Sequence, residues 1–114
     1  MQKEIFAGLV RSKGDLAGVF EYDGETGYFY LCRTKGASGT KIVDALRIVS
    51  GPVDFARDDV SIQWDDSETK VALFVNKAMW AVFDCTLGQK FGGDYRGGGS
   101  PAIPTSVTFF KSPR

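Results

Sequence analysis

Residues 71–83 form a stretch with no water-facing side. Val71-Ala72-Leu73-Phe74-Val75 leads through Asn76-Lys77 into Ala78-Met79-Trp80-Ala81-Val82-Phe83. Two short apolar runs around a polar turn predict an antiparallel hairpin. Strand side chains alternate between two faces, so a half-exposed hairpin alternates apolar with polar residues. This one is apolar on both faces and must be covered twice. A second layer of the same chain can cover one face. Another copy or a protein partner is the expected cover for the other, which makes Phe74, Met79, Trp80 and Phe83 the candidate partner interface.

The remainder reads as many short strands. Glu4–Val10 is the first, followed by a turn at Gly14-Asp15. Leu16–Tyr22 and Gly27–Arg33 form a second hairpin through Asp23-Gly24-Glu25-Thr26, a turn composition with an Asp and a Gly that suit tight backbone geometry. With that loop, Tyr22 opposes Gly27 and Phe20 opposes Phe29. Phe20, Tyr22, Phe29 and Leu31 then share one face, and Glu21, Tyr28 and Tyr30 the other. A slip of one residue would invert every side chain. The segment Lys41–Val49 is ambiguous. Polar residues recur at 41, 44 and 47 as on a helix, whereas its β-branched content and the Ser50-Gly51-Pro52 stop favour a strand, the reading preferred here. In a regular strand Asp44 would share a face with Ile42, Leu46 and Ile48. Val53–Asp59 is irregular, with room for one helical turn. Val60–Trp64 alternates as a strand, Gly88–Pro104 reads as a long glycine-rich loop, and Thr105–Lys111 alternates again. The expected fold is mainly β: a single-domain antiparallel sandwich or barrel-like sheet over residues 1–114, with at most one short helix.

Charge and composition exclude several functions. Fourteen Lys and Arg balance fourteen Asp and Glu. A chain with no cationic excess lacks the bulk footprint for nucleic acid or for an anionic membrane surface. There is no histidine. Serine and cysteine nucleophiles therefore lack their usual base, and zinc its commonest ligand. Cys32 and Cys85 sit inside apolar runs and read as buried, reduced thiols. The N-terminal residues lack the apolar stretch of a signal peptide, and no run approaches the length of a membrane span. The expectation is a cytoplasmic chain with no cofactor and no metal.

Few residues stand out as a site. Tyr28 and Tyr30, two apart, can form an aromatic platform on one strand face. The loop Phe91–Pro101 carries Tyr95 and Arg96 among glycines whose amides could face an anion, although the strand-to-helix setting of a phosphate loop is missing. Asp44 is the candidate inward carboxylate. An acid role requires it to line a pocket beside another titratable group, and a surface pair with Lys or Arg would remove that role. The acidic turns around Asp23, Asp58 and Asp65 lack calcium-loop spacing and read as solvated turns.

The run Phe20-Glu21-Tyr22-Asp23-Gly24-Glu25-Thr26-Gly27-Tyr28-Phe29-Tyr30 resembles the signature of a family of small bacterial proteins of unknown function. Lys41–Ile48, Ile62-Gln63-Trp64, Ala72–Asn76 and Ala81–Asp84 extend the likeness over roughly residues 18–85. The resemblance implies a small bacterial domain with no assigned activity and supplies no catalytic residues. The function expected from the residues is non-enzymatic: a small-ligand or protein-interaction domain that self-associates. A toxin-neutralising protein and a carboxylate enzyme using Asp44 are the alternatives.

Overall fold

A computed structural model describes residues 4–34 and 41–93. The described residues form two antiparallel sheets of four strands each. Sheet one runs in chain order through β1 (Ile5–Val10), β2 (Leu16–Tyr22), β3 (Thr26–Arg33) and β4 (Lys41–Ser50). Sheet two follows as β5 (Val60–Trp64), β6 (Lys70–Val75), β7 (Ala78–Asp84) and β8 (Gln89–Gly92). A 3-10 turn, Arg57–Asp59, leads into β5. The mainly-β antiparallel architecture expected from the alternation is the one observed.

Phe20 and Phe29 from sheet one meet Val71, Leu73 and Phe83 from sheet two in a core with almost no solvent contact. The Phe29 and Phe83 ring centroids lie 5.0 Å apart across the layers. The sheets come close at Gly18, where an added Cβ would stand 2.7 Å from Val71 Cγ2. Glycine is required there by space, because side chains in packed interiors have no room to give.

The hairpin at 71–83 is buried on both faces. Val71, Leu73, Val75, Ala81 and Phe83 belong to the inter-sheet core. On the opposite face Ala72, Phe74 and Val82 gather Met79 and Phe91 into a second apolar cluster. Ala72 and Val82 there are fully buried. The turn residues Asn76 and Lys77 both have positive φ, 51° and 69°, which matches the right-handed twist of the flanking strands.

The β2–β3 register is the expected one, with Tyr22 opposite Gly27 and Phe20 opposite Phe29. Two readings need correction. First, Lys41–Ser50 is a strand but not a regular one. Its pairing with β3 shifts between Gly27 and Tyr28 and again between Leu31 and Cys32. A bulge inserts an extra residue and so reverses the faces beyond it. Ile42 therefore pairs with Cys32, is 54% exposed and does not share a face with Asp44, which pairs with Leu31. Second, the glycine-rich segment from 88 does not begin as a loop. Gln89–Gly92 pairs with β7 as β8. Residues 94–104 and the expected strand at 105–111 lie outside the described residues.

Both flanks of the sandwich are fastened. On one, Trp64 Nε1 donates to the Leu9 carbonyl at 3.0 Å. Beside it Arg11 grips both oxygens of Asp15, at 2.7 and 2.8 Å, and donates to the Glu68 carbonyl at 2.8 Å. On the other, Lys90 of β8 donates to Asp44 Oδ1 of β4 at 2.8 Å.

Candidate functional site

The β2–β3 hairpin builds the site. Asp23 Oδ1 accepts the Glu25 and Thr26 amides, each at 2.8 Å, and so closes the loop. These bonds hold the Asp23 carboxyl below its usual range. The register they fix sends Tyr28 and Tyr30 to the outer face of sheet one. Their rings stack with centroids 5.8 Å apart and planes 16° from parallel. Both side chains are half-buried. Burial first, then the charge of Glu21, pushes the Tyr30 phenol up, so it remains a neutral hydroxyl at ordinary pH.

Cross-strand pairing sets the neighbours. Phe6 of β1 opposes Glu21 of β2, Glu21 opposes Tyr28 of β3, and Tyr28 opposes Arg47 of β4. In the next row along, Gly8, Val19, Tyr30 and Ala45 follow one another. Small residues, Gly8 and Ala45, stand at the ends of the Tyr30 row. A depression of about 460 Å³ opens over this end of the sheet, lined by Phe6, Tyr28 and Tyr30 and by Glu4, Glu21, Asp23 and Thr26. Its volume lies within the ordinary range for small-ligand sites. Phe6 is 61% exposed, a large apolar side chain left at the rim.

The structure therefore brings Tyr28 and Tyr30 together and leaves Asp44 elsewhere. Asp44 lies at the β4–β8 flank, bordering a smaller groove of about 210 Å³ with Arg33 and Asp84. Its carboxylate meets Lys90 in a half-exposed ion pair. The hydrogen bond from Lys90 outweighs burial and holds the carboxyl below its usual range. A paired carboxylate held below its usual range is a poor proton donor near neutral pH. Tyr95 and Arg96 lie outside the described residues.

Of the four interface candidates, Phe83 is in the inter-sheet core and Phe74 in the outer cluster, both buried. Met79 and Trp80 are half-buried. Trp80 packs edge-on against Phe55, with centroids 5.6 Å apart. Cys32 and Cys85 are free thiols, each pushed up chiefly by burial. Among the described residues no cluster of three or more His, Cys, Asp or Glu can hold a metal. No helix among them is long and apolar enough to cross a membrane.

Phe6 and Glu4 escaped the sequence reading. The outward alternation of the first strand was a usable signal for Phe6. Its pairing with Glu21 was not, because the turn joining the first two strands has no register-fixing dipeptide.

Neither curated proteins nor solved structures give a match. One protein family does, described as an uncharacterized protein conserved in bacteria (DUF2251), over residues 2–92. The match takes in all eight described strands and every described residue of the tyrosine face, and the chain belongs to that bacterial family.

Proposed function

We propose that this chain is a non-catalytic binding domain of the bacterial cytoplasm and that its ligand lies on the Tyr28–Tyr30 face. The observation that carries the reading is the stacked, half-exposed tyrosine pair in a depression of about 460 Å³. Aromatic faces on a rigid sheet give contact area at little conformational cost, because the strand backbone and packing already fix the rings. The residues around the depression bind more readily than they catalyse. Its acids are surface carboxylates, and the chain has no histidine to act as base.

The test is an amide-resonance screen with nucleosides, monosaccharides and capped amino acids as probes. At least one should shift the resonances of residues 6, 21, 28 and 30, and the shift should vanish in a Tyr28→Ala/Tyr30→Ala variant. A screen in which no probe moves these resonances overturns the reading.

Self-association is a second proposal, favoured by the half-buried Met79 and Phe91 on the outer apolar cluster of sheet two. Sedimentation equilibrium tests it. A dimer weakened by Met79→Lys supports it, and a monomer at high concentration removes it.

A further inference from the structure

We propose that the ligand of the tyrosine face is an organic cation, a guanidinium seated over Glu21 between the rings of Phe6 and Tyr28. This rests on the binding reading given above and narrows it to one chemistry.

The argument starts from one row of the sheet. Phe6, Glu21 and Tyr28 are consecutive cross-strand partners on β1, β2 and β3. Neighbouring strands lie about 4.8 Å apart, so the two aromatic residues stand about 10 Å apart at the backbone with the carboxylate midway. Phe6 and Glu21 are both exposed. The row therefore places an exposed anion between two aromatic residues at the edge of a concavity.

A guanidinium suits that arrangement better than other groups. It is planar and stacks on aromatic rings, it donates in a fork to a carboxylate, and it is weakly hydrated. A phosphate or carboxylate ligand would instead meet Glu21, with Glu4 and Asp23 also lining the depression. A neutral sugar could stack on the tyrosines but would gain nothing from the charge.

The surrounding charges leave room for a cation. Among the described residues, no ion pair holds Glu4 or Glu21. One oxygen of Asp23 is committed to the turn amides. Arg47 follows Tyr28 in the same row, on the side away from Glu21. A guanidinium over Glu21 thus sits two strands from the nearest fixed cation in that row.

The depression can take a free cation or an arginine side chain on a short peptide, and two probes separate these sources. Agmatine and the capped tripeptide acetyl-Ala-Arg-Ala-amide are titrated against the full chain by amide resonances, with acetyl-Ala-Glu-Ala-amide as the anionic control. At least one cationic probe should shift residues 6, 21 and 28, and the control should not. Tighter binding of the tripeptide identifies a peptide source, and equal binding a free cation. Glu21→Gln should weaken the cation by about two- to five-fold, the range for an exposed charge pair. Tyr28→Phe keeps the ring and should retain binding. Glu21 is exposed, so its substitution leaves the fold intact. If neutral or anionic probes bind the tyrosines equally well and Glu21→Gln changes nothing, the cation is overturned and the binding face stands. If no probe of either screen shifts the face, both fall.

Discussion

Tyr22→Phe should destabilise the fold by about 1–2 kcal/mol without altering its packing. Tyr22 is 3% exposed at the end of β2. Its hydroxyl reaches the Gly51 carbonyl at 2.7 Å and the Gly24 carbonyl at 3.0 Å. Gly51 in turn donates its amide to the Glu25 carbonyl at 2.6 Å. One phenol thus joins the β2–β3 loop to the residue that follows β4. A neutral hydrogen bond contributes about 0.5–1.5 kcal/mol net, and a buried acceptor left without its donor costs about 1–3 kcal/mol. The phenol has one proton to share between two acceptors, so the bonds do not add in full. The ring stays in place, and no cavity cost enters. Urea unfolding followed by tryptophan fluorescence is the assay. With a slope of about 1–3 kcal/mol/M, the midpoint should fall by roughly 0.3–2 M at unchanged slope. A midpoint indistinguishable from the parent's would refute the reasoning and mean that water serves the two carbonyls as well as the phenol does. A changed slope would also refute it, since the substitution should leave the exposed area of both states alone.

Three further outcomes are expected. Gly18→Ala should cost about 1–3 kcal/mol, because its Cβ would press on Val71 Cγ2 at 2.7 Å; a Gly18→Ala/Val71→Ala double variant should recover part of that loss, and purely additive midpoints would argue against the contact. Lys77→Gly should stabilise by up to about 1 kcal/mol, since φ is +69° there and glycine occupies that region without strain; a lower thermal midpoint would count against it. Stability should hold between neutral pH and about pH 5 and then fall as the solution is acidified. The Asp15 carboxyl is held down by its hydrogen bond with Arg11, and Glu68 by those from Ser12. Burial raises Asp65, but the Lys70 and Thr69 amides and the Ser67 hydroxyl together outweigh it. Groups depressed in the folded state contribute above their unfolded pKa near about 4 and lose that contribution as protons bind. A urea midpoint that stays flat from pH 6 to about pH 2.5 would contradict this.

Most of the framework was legible because period-two alternation survives wherever a strand pairs regularly. β2, β3, β5 and the 71–83 hairpin all pair that way over most of their length. The exception is instructive. In β4 the polar residues at 41, 44 and 47 imitate a helical period, yet Asp44 and Arg47 are carried on opposite faces, opposite Leu31 and Tyr28. Residues three apart on a regularly paired strand fall on opposite faces, so the spacing marks no helical stripe, and the irregularities lie on either side of 44–47. A bulge leaves no residue signature of its own, so neither the irregularity nor the outward turn of Ile42 could be read from the chain. β8 was hidden for a different reason. Gln89-Lys90-Phe91-Gly92 has a single large apolar residue, and its strand state is imposed by pairing with β7. At the candidate site, the tyrosine pair and Glu21 followed from the hairpin register. Phe6 and Glu4 required the placement of β1, which only the assembled sheet supplies.

The fastened flanks carry a consequence for how such a molecule meets others. Unpaired strand rims invite foreign strands to zip on, the usual route to ordered clumping. Here the rims of β1 and β5 are drawn together by the Trp64 indole, and those of β4 and β8 by the Lys90 ammonium. Recruitment by strand addition is thereby discouraged on both sides, and associations are left to the broad faces, where side chains and not backbone choose the company.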